Sequence, residues 1–317
     1  MRTRTAHVTK PSRRRFPVRT PRRTADLLTL LGLANEVANI IMQLSMPGVG
    51  YGVVESRVDG GNAFIRPFKR ARTTGTYLAV ALIGEESDRS ILRDELGRVH
   101  AYVRSTADSP VPYHANNPDL QLWVAACLYR YFVDQFELLY GSLDPTAADA
   151  VYADAARLAT TLNVRPEQWP ADRAEFERYW ARTLPTLRID PPVRTHLDRL
   201  ATLDFLVGPW GPVGRLIKLS LGGPFRFFTI GTLPPEFREL MGYDWSPTDQ
   251  RVLDRLLRLV ALADRTVPFA GRLGYRMYLL DMRARVRAGR SVLGASHRPP
   301  RPVAVAARPA RPITGRV

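Results

Sequence analysis

His100 and His114 are the two histidines in this chain placed to do chemistry. Five histidines are present. His7 and His297 belong to the terminal tails. His196 stands among Arg194, Asp198 and Arg199 and is expected at the surface. Two imidazoles are too few for a protein-only zinc site unless carboxylates complete it. One imidazole facing a dry interior is enough to hold a haem iron, with the opposite axial position open to O2. An ordinary packed histidine looks the same, so by themselves the residues leave both readings open. Two further blocks flank His100. Arg72-Thr-Thr-Gly-Thr76-Tyr77 sets an arginine and a threonine four apart, on one face of a helix. Pro112-Tyr113-x-Ala115-x-x-Pro118-x-Leu120-x-x-Trp123-Val124 leads into a long apolar segment. Arg72 can also be read as a surface guanidinium beside Lys69 and Arg70, and Thr76 as a helix cap.

Other chemistry has little support. The chain has no Gly-x-Gly-x-x-Gly after a strand, no phosphate-loop lysine, no Gly-x-Ser-x-Gly and no His-Glu-x-x-His. Gly48-Val-Gly50-Tyr-Gly52 follows a helix, where it makes a poor phosphate loop. Glu85, Glu86, Asp88, Asp94 and Glu95 read as a solvated helix face. The single cysteine, Cys127, excludes a disulfide framework and a cysteine-built zinc or iron–sulfur centre, and its apolar setting reads as a packed thiol.

The elements that must position these residues are helices. A capping Thr24 or Asp26 opens a segment that runs to Ser45 and stops at Pro47-Gly48. A glycine-rich, partly extended connection is expected to about residue 66. Helices are expected at 74–83 and 86–105. In the second of these Leu92, Leu96, Val99 and Val103 form the apolar stripe and His100 lies on its margin. Asn117-Pro118 starts a helix to Tyr140, ended by Gly141, whose apolar residues cover most of its circumference and place it at the centre of a bundle. Further helices are expected at 145–163, 171–184, 191–206, 213–220, 234–241, 247–264 and 272–289. No strand pattern or internal repeat competes. The expectation is an all-α protein, a single large helical-bundle domain of about ten helices over residues 24–290. Disordered tails are expected at 1–23 and 291–317.

The net charge of +16 resembles a nucleic-acid signal until it is located. Residues 1–24 hold nine basic and no acidic side chains, and residues 295–317 hold five and none. The remaining 32 basic residues face 30 acidic ones, so the body carries +2. Specific nucleic-acid binding is therefore not expected, whereas the basic tails suit an anionic membrane surface. Ser12-Arg-Arg-Arg-Phe16 resembles a twin-arginine signal, but Pro17–Arg23 separates it from the apolar stretch that follows, and no clear cleavage site appears. Asn35, Glu36 and Asn39 interrupt that stretch and argue against a transmembrane helix. A cytoplasmic protein, peripheral at a membrane, is the expectation.

The ordered blocks resemble the catalytic domain shared by latex-clearing rubber oxygenases and MpaB-type oxygenases. Gln43-Leu-Ser-Met-Pro47, the Arg72–Leu78 block, Gly84, His100 in Val-His-x-x-Val, the Tyr113–Val124 block and Leu233-Pro-Pro-Glu-Phe-Arg238 carry it, across roughly residues 28–288. The resemblance implies an all-helical domain with haem b. His100 would match the proximal iron ligand, and Arg72 and Thr76 the arginine–threonine pair near the haem, acting on catalysis and on cofactor binding. The implied function is a haem-dependent oxidoreductase, an oxygenase acting with O2 on an apolar small-molecule or lipid substrate. The competing reading is a non-catalytic helical family member whose basic tails dock it to membrane or nucleic acid. Gly75 stands where rubber-cleaving enzymes carry a lysine, and Ala125 where many relatives carry a histidine, so rubber cleavage itself is not implied. His114 occupies a position that is often a small hydroxyl residue.

Overall fold

The computed structural model describes residues 20–56, 58, 63–267 and 269–294. Thirteen α-helices and no strand occur among the described residues. They are α1 (Leu30–Ala34), α2 (Glu36–Leu44), α3 (Pro47–Val54), α4 (Pro67–Ile83), α5 (Glu86–His100), α6 (Pro118–Tyr140), α7 (Pro145–Thr160), α8 (Arg173–Thr183), α9 (Pro191–Ala201), α10 (Val207–Thr232), α11 (Pro235–Met241), α12 (Pro247–Thr266) and α13 (Ala270–Arg287). The all-α reading is correct.

Proline sets many of the starts. Residues 47, 67, 118, 145, 191, 235 and 247 are prolines in the first turn of α3, α4, α6, α7, α9, α11 and α12. The missing N–H costs nothing there and the fixed φ favours the helix. Two sequence expectations fail for this reason. Pro47 begins α3 inside the expected extended connection, and Pro67 begins α4 seven residues before the expected start. Arg72 and Thr76 therefore lie inside α4 and do not flank its beginning.

Other boundaries also differ. The expected helix 24–45 is a short 3-10 turn, Thr24–Leu27, followed by α1 and α2, which meet at Asn35. α5 ends at His100 and not at 105. The expected short helix 213–220 is part of the 26-residue α10, bent at Gly211. The expected C-terminal tail begins later than 291. Val292 and Leu293 are buried, and the buried Glu95 carboxylate accepts from the Val292 and Leu293 amides at 2.9 and 3.0 Å and from the Ser291 hydroxyl. Residues 1–19 and 295–317 lie outside the described residues, with His7, His297 and the twin-arginine motif.

α6 runs through the core. The Asn117 side chain caps its first turn, accepting from Asp119 N at 2.8 Å, and Gly141 ends it at φ 85°, where a side chain would be strained. Trp123 is fully buried, stacks on Trp180 at 4.9 Å, and its indole N–H reaches the Met42 and Gln43 carbonyls at the end of α2. Phe176, Trp169, Tyr129 and Tyr152 extend this aromatic core. Burying one such ring stabilises the fold by about 1.5–3 kcal/mol. Cys127 is buried in α6 as expected, and burial pushes its thiol pKa well up. α13 packs along α4, and a Cβ at Gly75 would lie 2.5 Å from the Tyr278 ring. The glycine is what lets the two helices approach.

Candidate functional site

His100 is the last residue of α5, half-buried, facing the first turn of α6. After it the chain turns back on itself. Ala115 N donates to Val103 O and Ser105 N to Tyr113 O, both at 2.9 Å, and this pairing delivers Asn117-Pro118 to the start of α6. Gln121 is thereby set beside the imidazole, its Nε2 3.3 Å from His100 Nδ1.

Two backbone groups fix the Gln121 amide. Oε1 accepts the Asn163 N–H at 2.6 Å, and Nε2 donates to Ala115 O at 2.7 Å. The second N–H of Nε2 faces His100, so Nδ1 accepts and the neutral ring carries its proton on Nε2. Desolvation pushes the His100 pKa down to about 4, helped by the charges of Arg70 and His114. The imidazole is therefore neutral at pH 7.

Arg70 and His196 border the same region. Arg70 has accessible surface, yet desolvation by surrounding protein lowers its pKa. Its charge acts on His100 and on His196 alike. His196 is half-buried and not at the surface as expected. Its ring packs edge-on against Phe64 at 5.0 Å, and the Arg199 guanidinium covers the Phe64 ring at 4.0 Å. Desolvation, then Arg199 and Arg70, push the His196 pKa down to about 4. The sequence reading went astray because polar residues flank His196 along the chain, while Phe64 comes to it from a distant segment.

Arg72 and Thr76 lie on the other side of α4, against α13. Arg72 Nη1 donates to Val292 O at 2.8 Å and lies 3.5 Å from Asp281 Oδ2. Thr76 is fully buried and its hydroxyl has no hydrogen-bond partner among the described residues. His114 is exposed in the loop before α6, its Nδ1 accepting from Asn116 N at 3.2 Å. α4 thus splits the expected set. Arg70, two residues before Arg72, faces the His100 region, and Arg72 braces the C-terminal segment. Gln121, Arg70 and His196 were not legible as site residues. For Arg70 a signal existed, since a step of two residues on a helix turns it about 200° from Arg72.

Among the described residues no three His, Cys, Asp or Glu side chains cluster to hold a metal by themselves. Haem asks for less. A neutral, partly accessible imidazole is the right donor, and the Arg70 cation suits a carboxylate-bearing ligand. The residue types fit haem, with one condition. Iron ligation through Nε2 requires the proton to sit on Nδ1, opposite to the arrangement Gln121 now imposes.

The family model for the ER-bound oxygenase mpaB/B'/rubber oxygenase catalytic domain matches residues 22–262. Two uncharacterized proteins, from Mycobacterium bovis and Mycobacterium tuberculosis, are each 56% identical to this chain over 258 residues, covering 81% of it and 98% of the relative. No solved structure matches. An all-helical body, the ordered motif blocks and a match over three-quarters of the chain agree, and this chain belongs to the MpaB/rubber oxygenase catalytic-domain family.

Proposed function

We propose that this protein is a haem-dependent oxygenase for an apolar or lipid-like substrate, with His100 as the iron ligand. The observation that carries the reading is the neutral, partly accessible imidazole of His100 within reach of the Arg70 charge. Bound haem b would supply O2 activation. His100 holds the group in place, and Arg70 balances a propionate charge. Arg72 is a positioning residue, because its guanidinium is bound to Val292 O and Asp281 and acts through the seating of α4 on α13. Thr76, one turn further along α4 on the side of Arg72, is fully buried, and its hydroxyl has no hydrogen-bond partner among the described residues. The aromatic core around α6 excludes water, which suits an apolar substrate.

The test is haem titration followed by absorption. Wild-type protein should take up about one haem per chain with a Soret band, as a single-histidine site requires. His100→Ala should abolish or strongly shift the band, and His114→Ala should retain it. Wild-type protein that stays colourless after haem supplementation overturns the proposal.

A further inference from the structure

α10 is built inside out. Two of its glycines face the protein: a Cβ at Gly222 would lie 2.8 Å from the Thr202 carbonyl, and Gly214 is buried against Leu206. Between residues 213 and 221 its large apolar residues are mostly exposed. Val213, Leu216, Leu219 and Leu221 are exposed, Leu219 at 82%. Val213 and Leu216 lie three apart on one face, with Leu219 three further on at its edge, while Leu221 points about 200° from Leu219. The bend at Gly211 (φ 52°) brings Trp210 to the start of the same surface. There its ring meets Phe68 of α4 at 5.6 Å, and Phe68 and its neighbour Ile65 are exposed as well. A continuous apolar face therefore runs from α4 along α10.

The charge on this face has one sign. From residue 205 to 235 the chain has no Asp or Glu, and its charged residues are Arg215, Lys218 and Arg226. Lys218 is held by Asp204 at 2.6 Å, and Arg215 is exposed beside Leu216. An apolar helix face with an aromatic at one end, basic residues and no acids is the composition of a helix that lies in a bilayer interface. It does not cross, since no single described helix is long and apolar enough. A second copy of the chain is the poorer occupant, because pairing the face with itself would bring like charges together. We propose that α10, with Ile65 and Phe68, docks on an anionic lipid bilayer, with Trp210 at the interface and Leu216 and Leu219 among the acyl chains. The docking is independent of haem.

The basic N-terminal and C-terminal segments would also attract anionic vesicles through their charge, so the test must separate insertion from attraction. Trp210 allows this, because Trp123, Trp169 and Trp180 are buried and Trp245 is half-buried. Full-length protein is mixed with phosphatidylglycerol–phosphatidylcholine vesicles carrying brominated acyl chains, and with phosphatidylcholine alone. Wild type should bind the anionic vesicles with a blue shift and quenching of tryptophan emission, neither of which salt abolishes. Trp210→Phe should bind and lose the quenching. The Leu216→Asp, Leu219→Asp double variant should melt as wild type does, lose the quenching, and partition at least about tenfold more weakly, as expected when apolar insertion holds the protein. Vesicle binding without Trp210 quenching, and equal in the double variant, would assign attachment to the terminal segments and overturn the proposal. So would no binding at all, or a wild-type dimer that the double variant converts to monomer.

Discussion

Gln121 Nε2 lies 3.3 Å from His100 Nδ1, and the glutamine cannot turn over, because Asn163 N–H and Ala115 O hold its other two amide groups. A side chain in α6 thereby decides which nitrogen of an α5 histidine carries the proton. Gln121→Glu should reverse the choice. A carboxylate accepts from Nδ1–H and frees Nε2, so haem should bind more tightly, by roughly tenfold or more, the usual effect of a partner behind a ligating histidine. Ring nitrogen NMR of the apo-protein should show the proton moving from Nε2 to Nδ1. An unchanged tautomer in this variant refutes the assignment.

His100 and His196 make the protein sensitive to acid. Both pKa values fall from the ordinary 6.5 to about 4 in the folded state, His100 chiefly by desolvation and His196 by desolvation and Arg199. Between these values the unfolded chain binds more protons than the folded one, so stability falls as pH falls. It is complete above pH 6.5 and drains away toward pH 4. Melting temperature should drop through this window, and His196→Phe should reduce the drop. A variant with the same pH dependence as wild type would show that His196 is already charged in the fold.

Arg72→Ala should destabilise the apo-protein by about 1–3 kcal/mol, the range for a lost hydrogen bond from a charged group. It removes the donor to Val292 O and the partner of Asp281. The sequence alone predicts the opposite, a loss confined to haem binding, because nothing local shows that residues 281 and 292 return to α4. Denaturant melts of apo- and haem-loaded protein separate the two. A stable apo-protein with weak haem retention would restore the direct role.

Gly75→Ala should cost about 1–3 kcal/mol by overpacking, since the added carbon meets the Tyr278 ring. Tyr278→Ala should make room and recover part of that loss in the double variant. Additive losses in the cycle would mean that the ring is not the obstacle.

Much of the fold was written locally. Asn117-Pro118 at the start of α6 and Gly141 at its end were legible because capping, fixed φ and positive φ are properties of one or two residues. The starts of α3 and α4 were misjudged because Pro47 and Pro67 can stop one helix or begin the next, and packing decides which. At the candidate site, His100 stood at the edge of an apolar stripe, where a packed histidine looks the same, and the ordered motif blocks around it singled it out. Gln121 could not, because its meaning comes from Asn163 and Ala115, which reach it through the fold. His196 was hidden in the same way by Phe64.

Glu95 ties α5 to the last described residues, and this bears on when the protein can fold. Its carboxylate is buried, and its donors, Ser291, Val292 and Leu293, lie 196 to 198 positions further along the chain. While the polypeptide is still being synthesised, α5 exists and those donors do not. Sealing the carboxylate in the core without them would leave a charge buried and uncompensated. The packing of α5 is therefore completed from a segment nearly two hundred residues away along the chain. α5 gains its full set of partners only once residues 291–293 are available to it.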